Sequence, residues 1–423
     1  MPARDSIVRN QRCDAEKGGR ISELHLPLTF HFLLSTFTFM SLDVLVVGAG
    51  PAGSVAALVL ARAGADVRLV DRARFPRDKL CGDTLNPGAL SILDRLGIGQ
   101  RVRERAVPIR GMVVTGPFGA SVACDYPDDL AGAAISRRDL DVVLVEAAVA
   151  AGVDFVPGTS VRGALHADEG TRVAGVRVGN ASCERSMPGR IVIAADGRRS
   201  GLAFALGLAR FAAAPRRWAF GAYFTDVDAL TSRGEMHIRP DGYTGVAALG
   251  QNLTNVCVVR ELSPTRHGER VTGDEILAQA LASDPGLRAR FARARQVSAV
   301  ASLGPLAVDA RSAGCHGLLL AGDAAGFVDP MTGDGLRFAL RGGELAAEAA
   351  LRELDIGTPA HPRLYASRHR EFSGKWRVNR ALRSLVASPR GVQLAAAVAA
   401  RWSAPVRFLI GVAGDVDLAR RAR

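Results

Sequence analysis

Leu42-Asp-Val-Leu-Val-Val47-Gly48-Ala-Gly50-Pro-Ala-Gly53, followed by Ser54-Val-Ala-Ala-Leu-Val-Leu-Ala-Arg-Ala63 and Gly64, is the stretch whose reading decides the fold. Its pattern predicts a short strand over 42–47, a glycine turn, and a helix over 54–63 that Gly64 stops. Gly48 permits the tight turn, Gly50 keeps a Cβ away from a pyrophosphate, and Gly53 lets helix and strand pack closely. The first helical amides then point at phosphate oxygens. Val67 to Val70 supplies a second strand ending in Asp71, twenty-three residues after Gly48. An acid there accepts hydrogen bonds from an adenosine ribose and disfavours a 2′-phosphate, so the site suits FAD or NAD rather than NADP.

Working outward, Ile135 to Ala151 reads as a helix entered through Ser136. Ile191 to Ala195 reads as a buried strand ending in Asp196-Gly197, and Leu318 to Ala321 as another ending in Gly322-Asp323. Between about 215 and 300 the pattern changes to short alternating segments, Ala219 to Phe224, Gly245 to Leu249 and Asn255 to Val259, which predict an antiparallel sheet. From Gly335 the chain turns helical and rich in alanine. A carboxylate at Asp323 suits ribityl hydroxyls, and a helix starting near Gly335 turns its positive end toward a reduced, anionic flavin. The competing reading is that Asp323 and Asp334 only cap helices.

The 423 residues allow two or three domains. A content of 48% hydrophobic and 23% charged residues is that of a folded protein. Forty-six glycines against 5% aromatics argue for tight turns rather than base stacking, so no nucleic-acid partner is expected. The net charge of +12 is concentrated: residues 361–423 hold thirteen Lys or Arg against three acids, a surplus of ten. This tail reads as a solvated helical face, as an interfacial surface for anionic lipid, or as a diphosphate cradle, and Pro389 and Pro405 divide it. Six scattered cysteines form no Cys-x-x-Cys pair, so neither metal nor disulfide scaffold is expected and a reducing, cytoplasmic setting fits. The uncharged run Leu24 to Leu42 leads straight into the first strand. Residues 1–39 read as an upstream extension, with Met40 a natural beginning, and a cleavable signal is the rival reading.

Taken together with Pro76-Arg77-Asp78-Lys79-Leu80-Cys81-Gly82-Asp83, Ser136-Arg137-Arg138-Asp139-Leu140-Asp141, Asp196-Gly197-Arg-Arg-Ser200 and Gly322-Asp323 through Gly335, the chain resembles a known family over about residues 42–350. These are the FAD-dependent oxidoreductases with a p-hydroxybenzoate-hydroxylase-like fold, and most closely the geranylgeranyl reductase family within them. The resemblance implies an α/β fold: a Rossmann-like FAD-binding domain, an inserted antiparallel-sheet substrate domain and a helical C-terminal region. Residues 40–214 and 298–350 would form the first, with 82–130 contributing to the substrate side, 215–297 the second, and 351–423 the basic helical region. By the same resemblance Gly48, Gly50, Ala52 and Gly53 meet the ADP part of FAD with Asp71 and Arg72. Arg137, Asp196 and Gly197 lie toward the pyrophosphate, Gly322 and Asp323 toward the ribityl chain, and Gly333, Gly335 and Leu336 against the isoalloxazine. NAD(P)H is expected only as a transient electron donor, since no second dinucleotide turn occurs.

The run from Lys79 to Asp83 is that of the reductase branch, and a Cys81 thiol beside Lys79 is expected to have a lowered pKa near the flavin. Cys81, Lys79 and Tyr243 are the candidate catalytic residues. The prenyl reductases carry Tyr-x-Trp-x-Phe-Pro in their substrate sheet, whereas Tyr243-Thr-Gly245-Val-Ala247-Ala248 keeps only the tyrosine. The Trp-x-Trp-x-Ile-Pro of flavin halogenases is absent, the tryptophans being Trp218, Trp376 and Trp402. The leading expectation is reduction of a carbon–carbon double bond in a lipophilic, isoprenoid-like substrate. A monooxygenase acting on an aromatic or polyketide-like substrate is the alternative, and a flavoprotein docked on a membrane or partner that only passes electrons is a third. Peripheral membrane contact through the basic tail would accompany the first or the third.

Overall fold

The computed structural model describes residues 42–167, 170–180, 183–213, 216–262, 271–386 and 388–421, and the expected extension over 1–39 lies outside them. Val44–Val47 is buried residue for residue at the centre of a six-stranded sheet. Such an unbroken apolar run is what a parallel strand covered on both faces requires. Val67–Asp71 pairs on one side and Ile191–Ala194 on the other, both parallel. Asp154–Pro157 and Leu318–Leu320 extend the sheet outward, and Gly314–Cys315 closes one edge as an antiparallel hairpin. The helices Pro51–Arg62, Arg137–Ala150 and Gly335–Ile356 pack on one face around Leu58, Leu60, Leu140 and Leu340. A three-stranded sheet covers the other face through Val176 and Met187. Full burial of each Val or Leu contributes roughly 1.5–3 kcal/mol, so this core fixes the strand ends firmly. The chain leaves Val44–Val47 toward one side and comes back on the other, and the crevice at such a switch point is where doubly wound sheets take ligands.

Local chemistry sets the helix starts. Pro51 occupies the opening of the first helix, three residues before the expected Ser54, because proline's fixed φ suits a position whose N–H has no intrahelical partner. Ser136 caps Arg137–Ala150, its Oγ accepting the Asp139 N–H at 3.1 Å. Asp334 flanks the start of Gly335–Ile356 but makes no side-chain cap, so the capping alternative fails there.

The second large sheet runs Arg217–Thr225, Leu253–Glu261, Gly242–Gly250, Arg233–Arg239, Gly111–Thr115 and Ser121–Asp125, with short strands added beside Arg217–Thr225. Helix Gly273–Ser283 lays Ile276 and Leu277 on Phe220, Val256 and Val258. Arg233–Arg239 escapes the alternation rule because its buried face carries Glu235 and His237. His237 Nε2 lies 2.9 Å from Glu235 Oε2, and Arg290 adds an ion pair at 2.6 Å. Burial pushes the Glu235 carboxyl up, but His237 and Arg290 outweigh it and hold the group below its usual range.

The C-terminal region is helical: His361–Val386, Pro389–Arg401, Ala404–Gly414 and Val416–Arg421. It is not simply a solvated face. Arg368 is 5% exposed with its guanidinium over the rings of Phe372 and Trp376. Lys375 is committed to Asp334 and Asp415, both at 2.6 Å. Among the described residues no single helix is long and apolar enough to cross a membrane. Arg390–Arg401 and Ala404–Gly414 reach that length only together, across a bend of 106°. At Gly374, inside His361–Val386, an added Cβ meets nothing within 4 Å. Gly374→Ala is therefore expected to raise stability by about 0.5–1 kcal/mol in urea denaturation, and a loss would contradict a continuous helix there.

Candidate active site

The glycine turn is shaped by what surrounds it. Gly48 has φ +99, and a Cβ on it would stand 2.5 Å from the Ala195 carbonyl oxygen; one on Gly53 would stand 1.8 Å from the Gly48 oxygen. Asp71 braces the turn from the next strand, accepting the N–H of Ala49 and of Ala73, each at 2.8 Å. Gly50 differs, because a Cβ there would be 3.7 Å and 3.8 Å from the guanidinium nitrogens of Arg137 and Arg77. Arg137 makes a bidentate pair with Asp141 at 2.8–2.9 Å, and Arg77 reaches the same carboxylate at 3.0 Å. Asp141 is fully buried. Burial works against the Arg137 charge, yet Asp141 prevails and holds its pKa above the ordinary arginine value. Two guanidinium groups share the Asp141 carboxylate beside a helix N-terminus, Arg77 lying also 3.9 Å from Asp71, and this set of fixed donors fits a diphosphate.

A cleft of about 290 Å³ continues from the turn past Asp71, Arg72, Ser160, Arg162, Asp196 and Arg199. Asp196 accepts the Gly201 N–H at 3.0 Å through Oδ2, while its Oδ1 is buried without a partner. Arg198 and Arg368 also each bury an unpartnered guanidinium nitrogen. Both lie in the field of Asp323, and burial pushes Arg368 down to about 10. Buried polar atoms left unpaired cost about 1–3 kcal/mol each, which a ligand rich in hydroxyl and phosphate oxygens relieves. The cleft residues Asp71, Arg72, Asp196 and Arg199 therefore fit the ribose and diphosphate parts of FAD. Gly322 and Ala52, expected at the cofactor, also serve helix packing. A Cβ on Gly322 would meet the Ala52 methyl at 2.8 Å, and one on Gly343 would meet the Ala52 carbonyl oxygen at 2.3 Å.

Beyond the Pro330–Leu336 segment lies an apolar cavity of about 310 Å³. Met236, Tyr243, Val246 and Val259 of the second sheet form one wall, Cys81 and Gly82 another, and Leu382, Val406 and Leu409 of the C-terminal helices a third. Gly333, Gly335 and Leu336 all line it, and a Cβ on Gly333 would project into open space. Asp334 accepts hydrogen bonds from Lys375 at 2.6 Å and Asn86 at 3.1 Å. Burial pushes its carboxyl up to about 6, with Lys375 opposing and Asp415 adding. Tyr243 is 3% exposed, and its hydroxyl donates to Asp329, which also pairs with Arg217 at 3.1 Å. That phenolic proton is engaged, so Tyr243 offers the cavity its ring.

The polar node that joins the two sheets is absent from the sequence reading. Asp83, fully buried at φ +53, accepts the Arg137 N–H at 3.2 Å, the Tyr223 hydroxyl at 2.7 Å and the Asn255 amide at 2.8 Å. Burial raises its carboxyl to about 7 against those donors. The expected lowering of the Cys81 pKa is overturned: burial, then Asp83, pushes the thiol up. Lys79 is not what acts on it. The Lys79 ammonium lies 3.6 Å from where a Gly197 Cβ would be, and burial, followed by Arg137, lowers its pKa. Tyr223 and Asn255 carried no sequence signal, whereas the acid ending Cys81-Gly82-Asp83 was visible without its partners.

Residues 41–345 match the family model described as an FAD binding domain. With the cradle and cavity just described, this defines an FAD-dependent oxidoreductase. A menaquinone reductase of Mycobacterium tuberculosis is 33% identical over 89% of this chain and 91% of its own length. A digeranylgeranylglycerophospholipid reductase of Methanopyrus kandleri is 34% identical over 75% and 82%. A solved geranylgeranyl bacteriochlorophyll reductase-like protein of Thermoplasma acidophilum superposes with a TM-score of 0.70 at 21% identity, over 90% of this chain and 95% of that one. The chain belongs to the geranylgeranyl reductase family of these oxidoreductases. A flavin-dependent brominase also shares the fold, at 19% identity and a TM-score of 0.73 over 90% of this chain and 98% of its own.

Gly53→Ala forces a methyl into backbone, and a cost above about 1.4 kcal/mol raises the Kd for FAD roughly tenfold or more. Titration of the flavin-free variant with FAD measures this, and an unchanged affinity would contradict the account. For Asp83, an acid whose folded pKa lies above its unfolded value holds its proton more tightly when folded. Its contribution is present at low pH and fades as pH rises toward about 7. The stability gap between wild type and Asp83→Asn is expected to narrow from pH 5 to 7 and level off above; a constant or widening gap would refute this.

Proposed function

We propose that the protein uses reduced FAD to saturate a carbon–carbon double bond in a lipophilic, isoprenoid-like substrate. The observation that carries this reading is the apolar cavity that opens between the Gly333–Leu336 segment and the second sheet. The names of the mycobacterial and archaeal relatives, reductases of a quinone and of a prenylated phospholipid, support it. Bound FAD supplies the two-electron chemistry, a hydride equivalent that the protein itself cannot provide.

The chain's own residues do the rest. Gly48, Gly50 and Gly53 with Arg77 and Arg137 grip the diphosphate, and Asp71, Asp196 and Asp323 are placed for sugar hydroxyls. Met236, Val246, Val259 and Leu382 exclude water and hold an alkene in a fixed pose, where a misplacement of about 1 Å can cost on the order of a hundredfold in rate. Of Lys79, Cys81 and Asp83, Cys81 alone lines the cavity. Its thiol, kept protonated by burial, holds a proton at Sγ for the second alkene carbon, to be restored from solvent after each turnover.

The test is a single-turnover reaction of the reduced protein with a prenylated quinone in the absence of oxygen. The expected product gains two hydrogens, and Cys81→Ala slows its formation with flavin content unchanged. A product that gains an oxygen atom only in air would replace this reading with the hydroxylase.

A further inference from the structure

The basic tail has an outer face that the site just described does not use. Among the described residues twelve large hydrophobic side chains are exposed, and five of them, Phe118, Leu394, Val398, Trp402 and Phe408, fall on Pro389–Arg401, on Ala404–Gly414, between the two or on the hairpin beside them. Leu394 and Val398, four residues apart, share one face of Pro389–Arg401 and Trp402 follows at its C-terminal cap, while Val392 and Ala396 are buried on the other face. Leu394 is 69% exposed, Trp402 65% and Phe408, past the 106° bend, 71%. Phe118, 81% exposed, tops a hairpin that packs on this helix, a Cβ on Gly116 being 3.2 Å from the Ala396 methyl. Residues 372–414 contain seven Lys or Arg and no acid; Lys375 is turned inward to Asp334 and Asp415, while Arg390, Arg401 and Arg407 beside the patch are exposed. The inner sides of the same two helices, through Ala395, Val406, Leu409 and Ile410, line the apolar cavity.

We propose that this outer face docks on an anionic phospholipid bilayer and that the bent helix pair is the portal by which a bilayer-dissolved substrate reaches the cavity. Bulky apolar side chains beside exposed Arg390, Arg401 and Arg407 form the combination that an anionic lipid surface recognises. The cavity size points the same way. At about 310 Å³ it stands at the lower end of the roughly 300–1,000 Å³ of small-molecule sites, so a long prenyl chain keeps its remainder outside. Lipid beneath the portal receives that remainder. The docking half stands on the surface alone, and the portal half rests on the proposed reduction of a lipophilic substrate.

The full-length protein with its flavin is sedimented with phosphatidylcholine vesicles, with and without phosphatidylglycerol, while tryptophan fluorescence is recorded. The expected result is binding that depends on phosphatidylglycerol and weakens with salt, with a blue shift that Trp402→Phe abolishes. Leu394→Glu combined with Phe408→Glu should lower partitioning by more than about a hundredfold, since each lost side chain accounts for at least tenfold. The same double variant should keep its flavin and its turnover of a short-chain, water-soluble alkene, and lose turnover of a long-chain alkene presented in vesicles. Equal partitioning of wild type and double variant overturns the proposal. So does concentration-dependent self-association that covers Trp402 in the absence of lipid. Vesicle binding with no reduction of either alkene removes the functional reading and the portal but leaves docking in place. Reduction in detergent with no vesicle binding removes docking and leaves the function.

Discussion

A guanidinium kept away from water has to be matched, and the match that Arg137 finds sets the geometry of everything around it. Burying an ion costs several kcal/mol unless its hydrogen bonds are satisfied in good geometry. Arg137 meets that condition through a bidentate pair with Asp141, while its backbone N–H reaches Asp83. Asp141 is shared with Arg77, and Asp83 is shared with Tyr223 and Asn255 of the second sheet. One residue at the opening of one helix thus ties the phosphate cradle to the substrate wall. The two guanidinium groups have Gly50 in front of them, where the absence of a Cβ leaves room for an anion.

The same logic explains why the C-terminal helices sit where they do. Asp334 belongs to the segment that lines the apolar cavity, and its carboxylate is bound by Lys375, which also binds Asp415. Arg337 joins Asp415 and Glu371 to this chain at 3.0 and 2.7 Å. Partners from two helices and from the Asp415 cap after Ala404–Gly414 therefore converge beside the loop that lines the cavity. A tail that composition describes as a reservoir of positive charge uses part of that charge internally, to close the cavity.

What the sequence revealed and what it hid follow one physical rule. The glycine turn, Asp71, the four central strands of the first sheet and the Ser136 cap were legible because their signals are local: a buried parallel strand is an apolar run, and a cap is one residue before a helix. The strand Arg233–Arg239 was hidden because its inward Glu235 and His237 satisfy each other and Arg290, which inverts the expected polarity. The node at Asp83 was hidden because its partners lie 140 and 172 residues away. Cys81 was misread for a related reason. A lysine two residues away in the chain suggests an activated thiol, but in space Lys79 faces Gly197 and Asp323, and burial governs the sulfur. Ala52 and Gly322 were assigned to the ligand, and the sequence did not reveal that small residues are also needed there where the chain packs closely.

The central claim is that the grip on the cofactor resides mainly in its adenosine diphosphate half, held by the Gly48–Gly53 turn, Arg77, Arg137 and Asp71. Calorimetric titration of the flavin-free protein with FAD and, separately, with FMN, which lacks the adenosine part, tests this most directly. The account predicts one FAD bound per chain and FMN bound far more weakly; equal affinities for the two, or no uptake of FAD by the folded protein, would contradict it.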